Sequence, residues 1–236
     1  MQVGSESLRQ ARELAAHSQA IGADAVSAVS PVYFKPDSAA TLVDSMREVA
    51  AGAPALPFYY YHIPAVTSVA VVALDFLKLA ADRIPSLRGI KFTSQNVFEF
   101  QGCVEWAGDR FEILWGLDEM LACGLAAGAR AAVGSTYNFA APIYLRMLMA
   151  FKAGDWDAVR REQSCSQALV RTFILYGPCG AQKAIMAMIG TDCGPPRLPV
   201  PPLPPERYES LRSELEAIGF FEWVHDDTPE RKASER

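Results

Sequence analysis

One lysine lies inside an apolar, strand-like segment, LRGIKFT (residues 87–93), and could act as a nucleophile. Strand alternation places Lys91 and Thr93 on the face opposite Ile90 and Phe92. A lysine on an exposed edge strand would only deter pairing with another chain. Apolar segments on both sides favour an interior position, where an amine is partly neutral and can form a Schiff base with a ketone. The pattern therefore predicts carbonyl chemistry at Lys91.

The preceding strand-like segment, FYYYHIP (residues 58–64), contains three consecutive tyrosines. Alternation separates Tyr60 from Tyr59 and Tyr61, which share the other face. Packing by an amphipathic ring suits at least two of the three. Tyr61 and Lys91 both come near the C-terminal ends of their strands, where βα barrels place catalytic groups. We therefore expect one tyrosine to carry protons for the lysine.

Strand-like and helical segments alternate along the first two thirds of the chain. A helix is predicted at 7–21, and five strand-helix units follow it. The strands are ADAVSAVSP, ALPFYYYHIP, LRGIKFT, FEILWG and RAAVGST, and the helices lie near 38–51, 69–82, 95–106, 118–127 and 141–152. Strands that are apolar on both faces, separated by amphipathic helices, indicate a parallel sheet covered by helices.

The rest of the chain is predicted to be helical, with a proline-rich interruption. Seven prolines between residues 195 and 205 exclude a helix or an inner strand. We interpret this segment as an extended surface strap rather than an SH3-type ligand, which is the alternative. The predicted helices are 155–176, 182–189 and 206–218, and the predicted regions are a partial barrel (1–153), a helical region (154–225) and a disordered tail (226–236).

Composition excludes several classes of function. The formal charge of −5, without a run of Lys or Arg, argues against nucleic-acid and anionic-membrane partners. The longest apolar stretch, 69–81, is broken by Asp75 and Lys78, so no membrane span is predicted. Five cysteines without a C-x-x-C pair suit a reducing compartment, and three scattered histidines predict no metal site.

Four motifs in order carry a resemblance that covers nearly the whole chain: PFYYYHIP, GIKFT, GLDEM and AVGSTYN. They resemble successive motifs of the N-acetylneuraminate lyases, within the pyruvate-dependent class I aldolases that include dihydrodipicolinate synthase. The resemblance implies a TIM (β/α)8 barrel and a homotetramer without cofactor. Residues 1–10 lack the apolar region of a signal peptide, so a cytoplasmic location is predicted. It implies that Lys91 forms the Schiff base and that Tyr61, directly before His62-Ile63-Pro64, handles protons. Tyr59 and Tyr60 keep the packing interpretation.

The resemblance also implies a substrate site. Its sugar-hydroxyl contacts fall on Thr93, Gly116, Asp118, Glu119, Gly134 and Ser135. On spacing alone, Asp118 could equally cap a helix and Gly134-Ser135 could be a turn, and the resemblance favours binding. Tyr33 matches a position where many family members place a tyrosine that reaches a neighbouring subunit's site.

Two departures from the synthases bear on the substrate. Synthases carry an arginine after the Tyr-x-x-Pro turn to hold a second carboxylate, whereas this chain has Ala65-Val66-Thr67. They also place a glutamate after the lysine, where this chain has Phe92. The resemblance therefore implies reversible cleavage of N-acetylneuraminate to N-acetylmannosamine and pyruvate, and another pyruvate aldolase of the family is an alternative.

The family barrel has eight strands, and the sequence predicts five. The first helix resembles the one after the third barrel strand, with MQVG as the last residues of that strand. We therefore expect roughly two and a half units to be absent, about 70 residues of a barrel of about 250. They include the Gly-Thr-Thr-Gly-Glu-like loop that holds the pyruvate carboxylate in the family. The alternative to an active lyase is an inactive isoform or fragment that at most associates with full-length subunits.

Overall fold

The computed structural model describes residues 1–224, so the predicted tail 226–236 lies outside the described residues. The strands are β1 (Val26–Val29), β2 (Phe58–His62), β3 (Leu87–Phe92) and β4 (Glu112–Trp115). The helices are α1 (Leu8–Ala20), α2 (Ala39–Ala50), α3 (Pro64–Thr67), α4 (Ala73–Ala80), α5 (Val97–Ala107), α6 (Leu121–Ala126), α7 (Tyr137–Ala153), α8 (Trp156–Ile174), α9 (Pro178–Met188), α10 (Pro205–Ala217) and α11 (Phe220–Val224). Asp118–Met120 form a 3-10 helix before α6.

The four strands form one parallel sheet in the order β1-β2-β3-β4, which confirms the predicted parallel sheet. An isolated parallel bridge joins Gln2 to Ser27 beside β1, and another joins Trp115 to Ala132 beside β4. The predicted fifth strand, RAAVGST, is wrong in length because it is reduced to this single bridge. Within residues 1–224 that segment pairs on one side only, through Ala131 and Val133 to Trp115, and therefore has no second ladder to extend it.

Helix starts follow the capping residues in the sequence. The side chain of Ser7 accepts a hydrogen bond from the Gln10 N–H at the start of α1, as predicted. The reciprocal half of the predicted capping box does not form, because the Ser7 N–H donates to Ser5 Oγ and the Gln10 side chain accepts from Ser5 Oγ. Ser38 caps α2 in the same way. Helix α7 begins four residues before the predicted position 141, since it continues through a kink at Ala140. Two short helices, α3 and α11, were not predicted.

Packing divides the chain into two compact units. Unit 1 comprises Met1–Leu117 and Cys123–Val133 and contains the sheet, and unit 2 comprises Asp118–Ala122 and the chain from Gly134 onward. The core of unit 1 is rich in aromatic rings, namely Phe58, Tyr60, Phe76, Phe92, Phe100 and Trp115. The core of unit 2 is built from α7 and α8 through Ile143, Met147, Val159, Leu169 and Phe173. The predicted regions 1–153 and 154–225 stay predictions.

The proline-rich segment contains no helix or strand between Thr191 and Pro204, as predicted, and Leu198 within it is 91% exposed. Helix α10 begins at Pro205, where the fixed φ of proline suits a first helical position. Across residues 1–224, every helix is too short or too polar to cross a lipid bilayer.

Candidate active site

The register of β2, β3 and β4 places four polar side chains, with one glycine and one leucine, in two levels on one face of the sheet. The lower level consists of Tyr59, Gly89 and Glu112, and the upper level of Tyr61, Lys91 and Leu114. The upper level lies two residues nearer the C-terminal ends of the strands. The predicted pairing of Tyr59 with Tyr61, opposite Tyr60, is confirmed by this register and by the alternating burial along β2.

The upper level brings together the predicted nucleophile and the predicted proton carrier. Lys91 Nζ lies 4.0 Å from the centroid of the Tyr61 ring, and both residues are half-buried. Within residues 1–224, neither Lys91 Nζ nor the Tyr61 hydroxyl takes part in a hydrogen bond or ion pair. The negative face of the ring attracts the ammonium form of Lys91, and its N–H groups stay free to meet a ligand. The amine must lose a proton before its nitrogen can attack a carbonyl carbon. The two groups are therefore positioned to act on one carbonyl compound.

The lower level is a closed set of polar contacts. The Tyr59 hydroxyl donates to Glu112 Oε2 at 2.5 Å, and Arg88 donates to Glu112 Oε1 through Nε at 3.1 Å and Nη2 at 2.9 Å. A register shift between Phe58 and Tyr59 leaves Arg88 out of the strand pairing. Burial, together with the Glu112 carboxylate, raises the pKa of Tyr59 to about 12. Tyr59 is therefore a structural donor and a poor proton carrier near neutral pH.

A glycine makes the lower level compact. Gly89 lies between Tyr59 and Glu112 in the register, and a Cβ there would collide with the main-chain carbonyl of Glu112. Without a side chain at position 89, the Tyr59 hydroxyl reaches the Glu112 carboxylate across β3. This close approach of β3 and β4 explains why glycine stands two residues before the lysine.

The opposite face of β2 is packed without access to solvent. Tyr60 is 1% exposed, with its ring centroid 4.4 Å from that of Phe76, so its packing interpretation fits. His62 is 3% exposed, lies 5.0 Å from the Phe92 ring, and its Nε2 makes no hydrogen bond within residues 1–224. Burial lowers the pKa of His62 to about 4, so this side chain is neutral at physiological pH.

Two further predicted residues directly follow β3 and β4. The Thr93 N–H donates to His62 O at 2.8 Å, and the Gly116 N–H donates to Phe92 O at 2.8 Å. Thr93 Oγ1 is buried and has no hydrogen-bond partner within residues 1–224. A Cβ on Gly116 would collide with this hydroxyl. Thr93 therefore presents an unsatisfied hydroxyl beside a position that only glycine fits.

The remaining predicted contacts lie in unit 2, where a carboxylate is held tightly. Asp118 is 5% exposed, and its Oδ2 accepts hydrogen bonds from the Thr136 N–H at 2.8 Å and Oγ1–H at 2.6 Å. A Cβ on Gly134 would collide with the Asp118 carboxylate. Ser135 Oγ accepts from Gln182 Nε2 at 3.0 Å. The structure therefore brings Asp118 and Gly134 together.

Two predicted residues are placed without a defined role. The main-chain carbonyl of Glu119 accepts from Gln167 Nε2 at 3.3 Å, and its side chain is half-buried. Tyr33 is 79% exposed, its N–H donates to Glu6 Oε2 at 2.9 Å, and its ring packs edge-on against Phe34. Within residues 1–224 the Tyr33 ring makes no contact with the Tyr61 ring.

Three residues of the Asp118 cluster were not predicted from the sequence: Thr136, Tyr144 and Ser166. The Tyr144 hydroxyl lies 2.6 Å from Thr136 Oγ1 and 2.9 Å from Ser166 Oγ. The buried side of α8 contains two polar positions, Gln163 and Ser166, in an otherwise apolar stripe. Polar residues at core positions of a helical pattern were the available signal, because buried polar groups need hydrogen-bond partners.

The chain belongs to the dihydrodipicolinate synthetase family, whose pattern matches residues 1–218. It is 39% identical over 225 residues to N-acetylneuraminate lyase of Homo sapiens, covering 94% of this chain and 70% of that protein. It is 41% identical over 216 residues to the Xenopus tropicalis protein of the same name, covering 90% of this chain and 70% of that one. These relatives confirm the resemblance stated from the four motifs.

Solved structures agree in fold. The chain is similar to Proteus mirabilis N-acetylneuraminate lyase with a TM-score of 0.89 and 37% identity, covering 93% of this chain and 74% of that one. It also matches a dihydrodipicolinate synthase with a TM-score of 0.80 and 24% identity, a likeness that shows the fold alone. The fold is therefore α/β with a parallel sheet, as in the TIM-barrel enzymes of this family.

Proposed function

We propose that this chain acts as an N-acetylneuraminate lyase, which cleaves N-acetylneuraminate reversibly to N-acetylmannosamine and pyruvate through a Schiff base at Lys91. The observation that carries the proposal is the upper level. There, Lys91 Nζ lies 4.0 Å over the Tyr61 ring, without a competing hydrogen bond within residues 1–224. Relatives 39% identical to this chain have the same named activity.

The proposed reaction begins with the neutral amine of Lys91. It attacks the C2 ketone of open-chain N-acetylneuraminate, and loss of water gives an iminium ion. The C4 hydroxyl proton passes to the Tyr61 oxygen, and the Tyr61 proton passes to the substrate carboxylate. The C3–C4 bond breaks, its electron pair neutralises the iminium as an enamine, and N-acetylmannosamine departs. Protonation of the enamine at C3 and hydrolysis then release pyruvate and restore the amine.

Binding of the substrate is assigned by resemblance to the other predicted residues. The unsatisfied hydroxyl of Thr93 and the carboxylate of Asp118 have the chemistry to hydrogen-bond to sugar hydroxyls. Gly134 makes room for that carboxylate, and Gly116 makes room for Thr93. The contacts of Glu119 and Ser135, and the role of Tyr33 towards a neighbouring subunit, are part of the same proposal.

A neutral aldehyde product fits the chain better than aspartate semialdehyde does. Residues Ala65, Val66 and Thr67 carry no cation that could hold a second carboxylate. Phe92 lies on the face opposite Lys91 and packs against Phe100 in the core. Any influence of Phe92 on the choice of substrate is therefore indirect, through the packing of β3. The second candidate, another pyruvate aldolase of the family, would therefore need a different carboxylate partner.

The finer architecture is proposed from the resemblance. We propose an eight-stranded barrel that forms a cytoplasmic homotetramer, of which the described residues supply four strands and two single bridges. Residues 1–236, together with any residues that the same reading frame encodes upstream, are called the extended chain. If upstream units complete the barrel, the extended chain cleaves N-acetylneuraminate and residues 1–236 alone do so poorly. If residues 1–236 alone melt cooperatively and turn over N-acetylneuraminate as fast as the extended chain does, the proposal that upstream units complete the barrel is contradicted.

The decisive experiment traps the Schiff base. The extended chain is incubated with pyruvate and sodium borohydride, digested, and mapped by mass spectrometry. We expect one reduced pyruvate adduct, on Lys91, that is absent when either reagent is omitted. An adduct on Lys78, Lys152 or Lys183 instead would refute the site. Parallel assays with N-acetylneuraminate, and with pyruvate plus aspartate semialdehyde, separate the two candidate functions.

A further inference from the structure

A chain of three hydroxyl groups ends at the Asp118 carboxylate in unit 2. Ser166 Oγ on α8 lies 2.9 Å from the Tyr144 hydroxyl on α7. That hydroxyl lies 2.6 Å from Thr136 Oγ1, which lies 2.6 Å from Asp118 Oδ2. Thr136, Ser166 and Asp118 are each 5% exposed or less, and Tyr144 is 4% exposed, so water does not compete for these bonds.

The chemistry of the groups fixes the direction of the chain. An ionised carboxylate only accepts, so the single proton of Thr136 Oγ1 points to Asp118. Thr136 Oγ1 must then accept from Tyr144, and the Tyr144 oxygen must accept from Ser166. All three O–H dipoles therefore point towards the negative charge, and each bond polarises the next. The Thr136 N–H is a second donor to the same carboxylate oxygen.

Helix α8 also holds the main chain that carries Asp118. Gln163 Oε1 accepts from the Ala122 N–H at 2.8 Å, and Gln167 Nε2 donates to Glu119 O at 3.3 Å. Ser166 Oγ also lies 3.3 Å from Asp118 O, a more distant alternative acceptor for the proton that it donates to Tyr144. The main chain next to Asp118 is thus held by side chains of α8, and its carboxylate by Thr136 at the start of α7. Residues in or at the end of helices are stiffer supports than loops.

We propose that Thr136, Tyr144 and Ser166 are positioning residues that hold the Asp118 carboxylate in one orientation for a hydroxyl group of the polyhydroxylated substrate. The assignment deepens the proposed lyase function and rests on it. Hydrogen bonds to an ionised group are the stronger class, and a preset orientation spares the substrate the cost of ordering the carboxylate. This chain of three hydroxyl groups, called the relay below, affects binding of the sugar and not formation of the pyruvate adduct.

The test compares two substitutions of one residue in the extended chain. Thr136→Val keeps the shape but removes the hydroxyl, whereas Thr136→Ser keeps the hydroxyl. We expect Thr136→Val to raise KM for N-acetylneuraminate about 10- to 100-fold, the range for losing a hydrogen bond to a charge. Thr136→Ser should restore most of the loss, and trapping of pyruvate on Lys91 should be equal in both. Thr172→Val, which removes a hydroxyl bonded only to Ala168 O on α8, is the matched control.

Crystal structures of the unaltered protein and Thr136→Val give a reading that does not depend on turnover. A rotated Asp118 carboxylate in Thr136→Val supports the relay, and an unchanged orientation overturns it, even if the unaltered protein fails to cleave N-acetylneuraminate and the proposed function falls. An equal KM increase in the Val and Ser variants would also overturn it, because that would indicate a packing effect. If Thr136→Val does not fold, Tyr144→Phe decides through KM, with a smaller increase expected because Thr136 still donates to Asp118, and an unchanged KM overturns the proposal.

Discussion

The lower and upper levels on the shared face of β2, β3 and β4 contain similar residues but serve different purposes. The lower level is structural, and the upper level is the proposed site of chemistry. Each contains a tyrosine from β2, and the levels are one repeat of the strand apart. In the lower level the Tyr59 hydroxyl, the Glu112 carboxylate and the Arg88 guanidinium satisfy one another. In the upper level the polar ends of Tyr61 and Lys91 have no such partner within residues 1–224.

The difference shows how a tyrosine can be assigned when several stand in a row. A phenol that already donates to a carboxylate is committed, and burial with that carboxylate raises the pKa of Tyr59 to about 12. A phenol stacked against an amine keeps its hydroxyl for a ligand. Hydrogen-bond satisfaction therefore separates structure from chemistry more sharply than residue type does.

The largest expected effect comes from removing the amine of the upper level. Lys91→Met in the extended chain should abolish both the borohydride-trapped pyruvate adduct and the cleavage of N-acetylneuraminate, because no other group there can form the Schiff base. The matched control is Lys78→Met on α4, where the exposed side chain should be dispensable. Residual adduct formation in Lys91→Met, measured by intact mass, would break the comparison.

The next effect comes from the phenol of the upper level. Tyr61→Phe should lower kcat by about 10²- to 10⁴-fold, the usual contribution of a general acid or base. The pyruvate adduct on Lys91 should still form, since the ring keeps its place over the amine. Steady-state kinetics and trapping measure the two separately. A larger loss of kcat in Tyr59→Phe than in Tyr61→Phe would reverse the assignment of the levels.

The face behind the two levels should limit stability in acid. Because His62 has a pKa of about 4 in the folded chain and about 6.5 when unfolded, only the unfolded chain gains its proton between these values. Stability is therefore complete above pH 6.5 and falls as the pH is lowered towards 4, by about 2 to 3 kcal/mol.

Urea unfolding at pH 7 and pH 4.5 measures this loss. His62→Phe, which keeps an aromatic ring against Phe92, should lose less stability between these two pH values than the unaltered chain does. The exposed His17→Gln serves as the control. An identical pH dependence in His62→Phe and the unaltered chain would show that another group is responsible.

The smallest effect is expected in the lower level. Tyr59→Phe removes one donor to Glu112 but leaves Arg88 in place, so the free energy of unfolding should fall by about 1 kcal/mol. Turnover should stay close to that of the unaltered protein. Thermal melting and the lyase assay check both. Unchanged stability with reduced turnover would mean that the lower level is also chemical.

Most of the fold could be predicted from local patterns. The side-chain alternation predicted from the sequence agrees with the burial along β2, and Ser7 and Ser38 marked helix starts through their own side chains. The predicted length of the strand around Ala132 was wrong, because the length of a strand depends on the strands that pair with it. Within residues 1–224 this segment pairs only with Trp115. The apolar composition of this segment does not indicate how many neighbouring strands will pair with it.

The candidate site was predictable only where a motif carried it. Tyr61 and Lys91 follow from strand alternation and the resemblance, and their register confirms that they are neighbours. The bond between Tyr59 and Glu112 joins residues 53 positions apart across a strand and depends on a register shift that skips Arg88. No local pattern contains that information.

The glycine at position 89 also governs the mechanics of the lysine. Because no Cβ separates β3 from β4 there, the two strands meet in a tight seam whose backbone has little room to bend. Lys91 lies two residues further along this closely paired backbone. When Lys91 reacts with a carbonyl carbon, the conformational entropy that is lost therefore comes from its own side-chain torsions. A side chain at position 89, as in Gly89→Ala, would push β3 and β4 apart. The Lys91 amine would stay chemically intact but would be displaced from its position for attack.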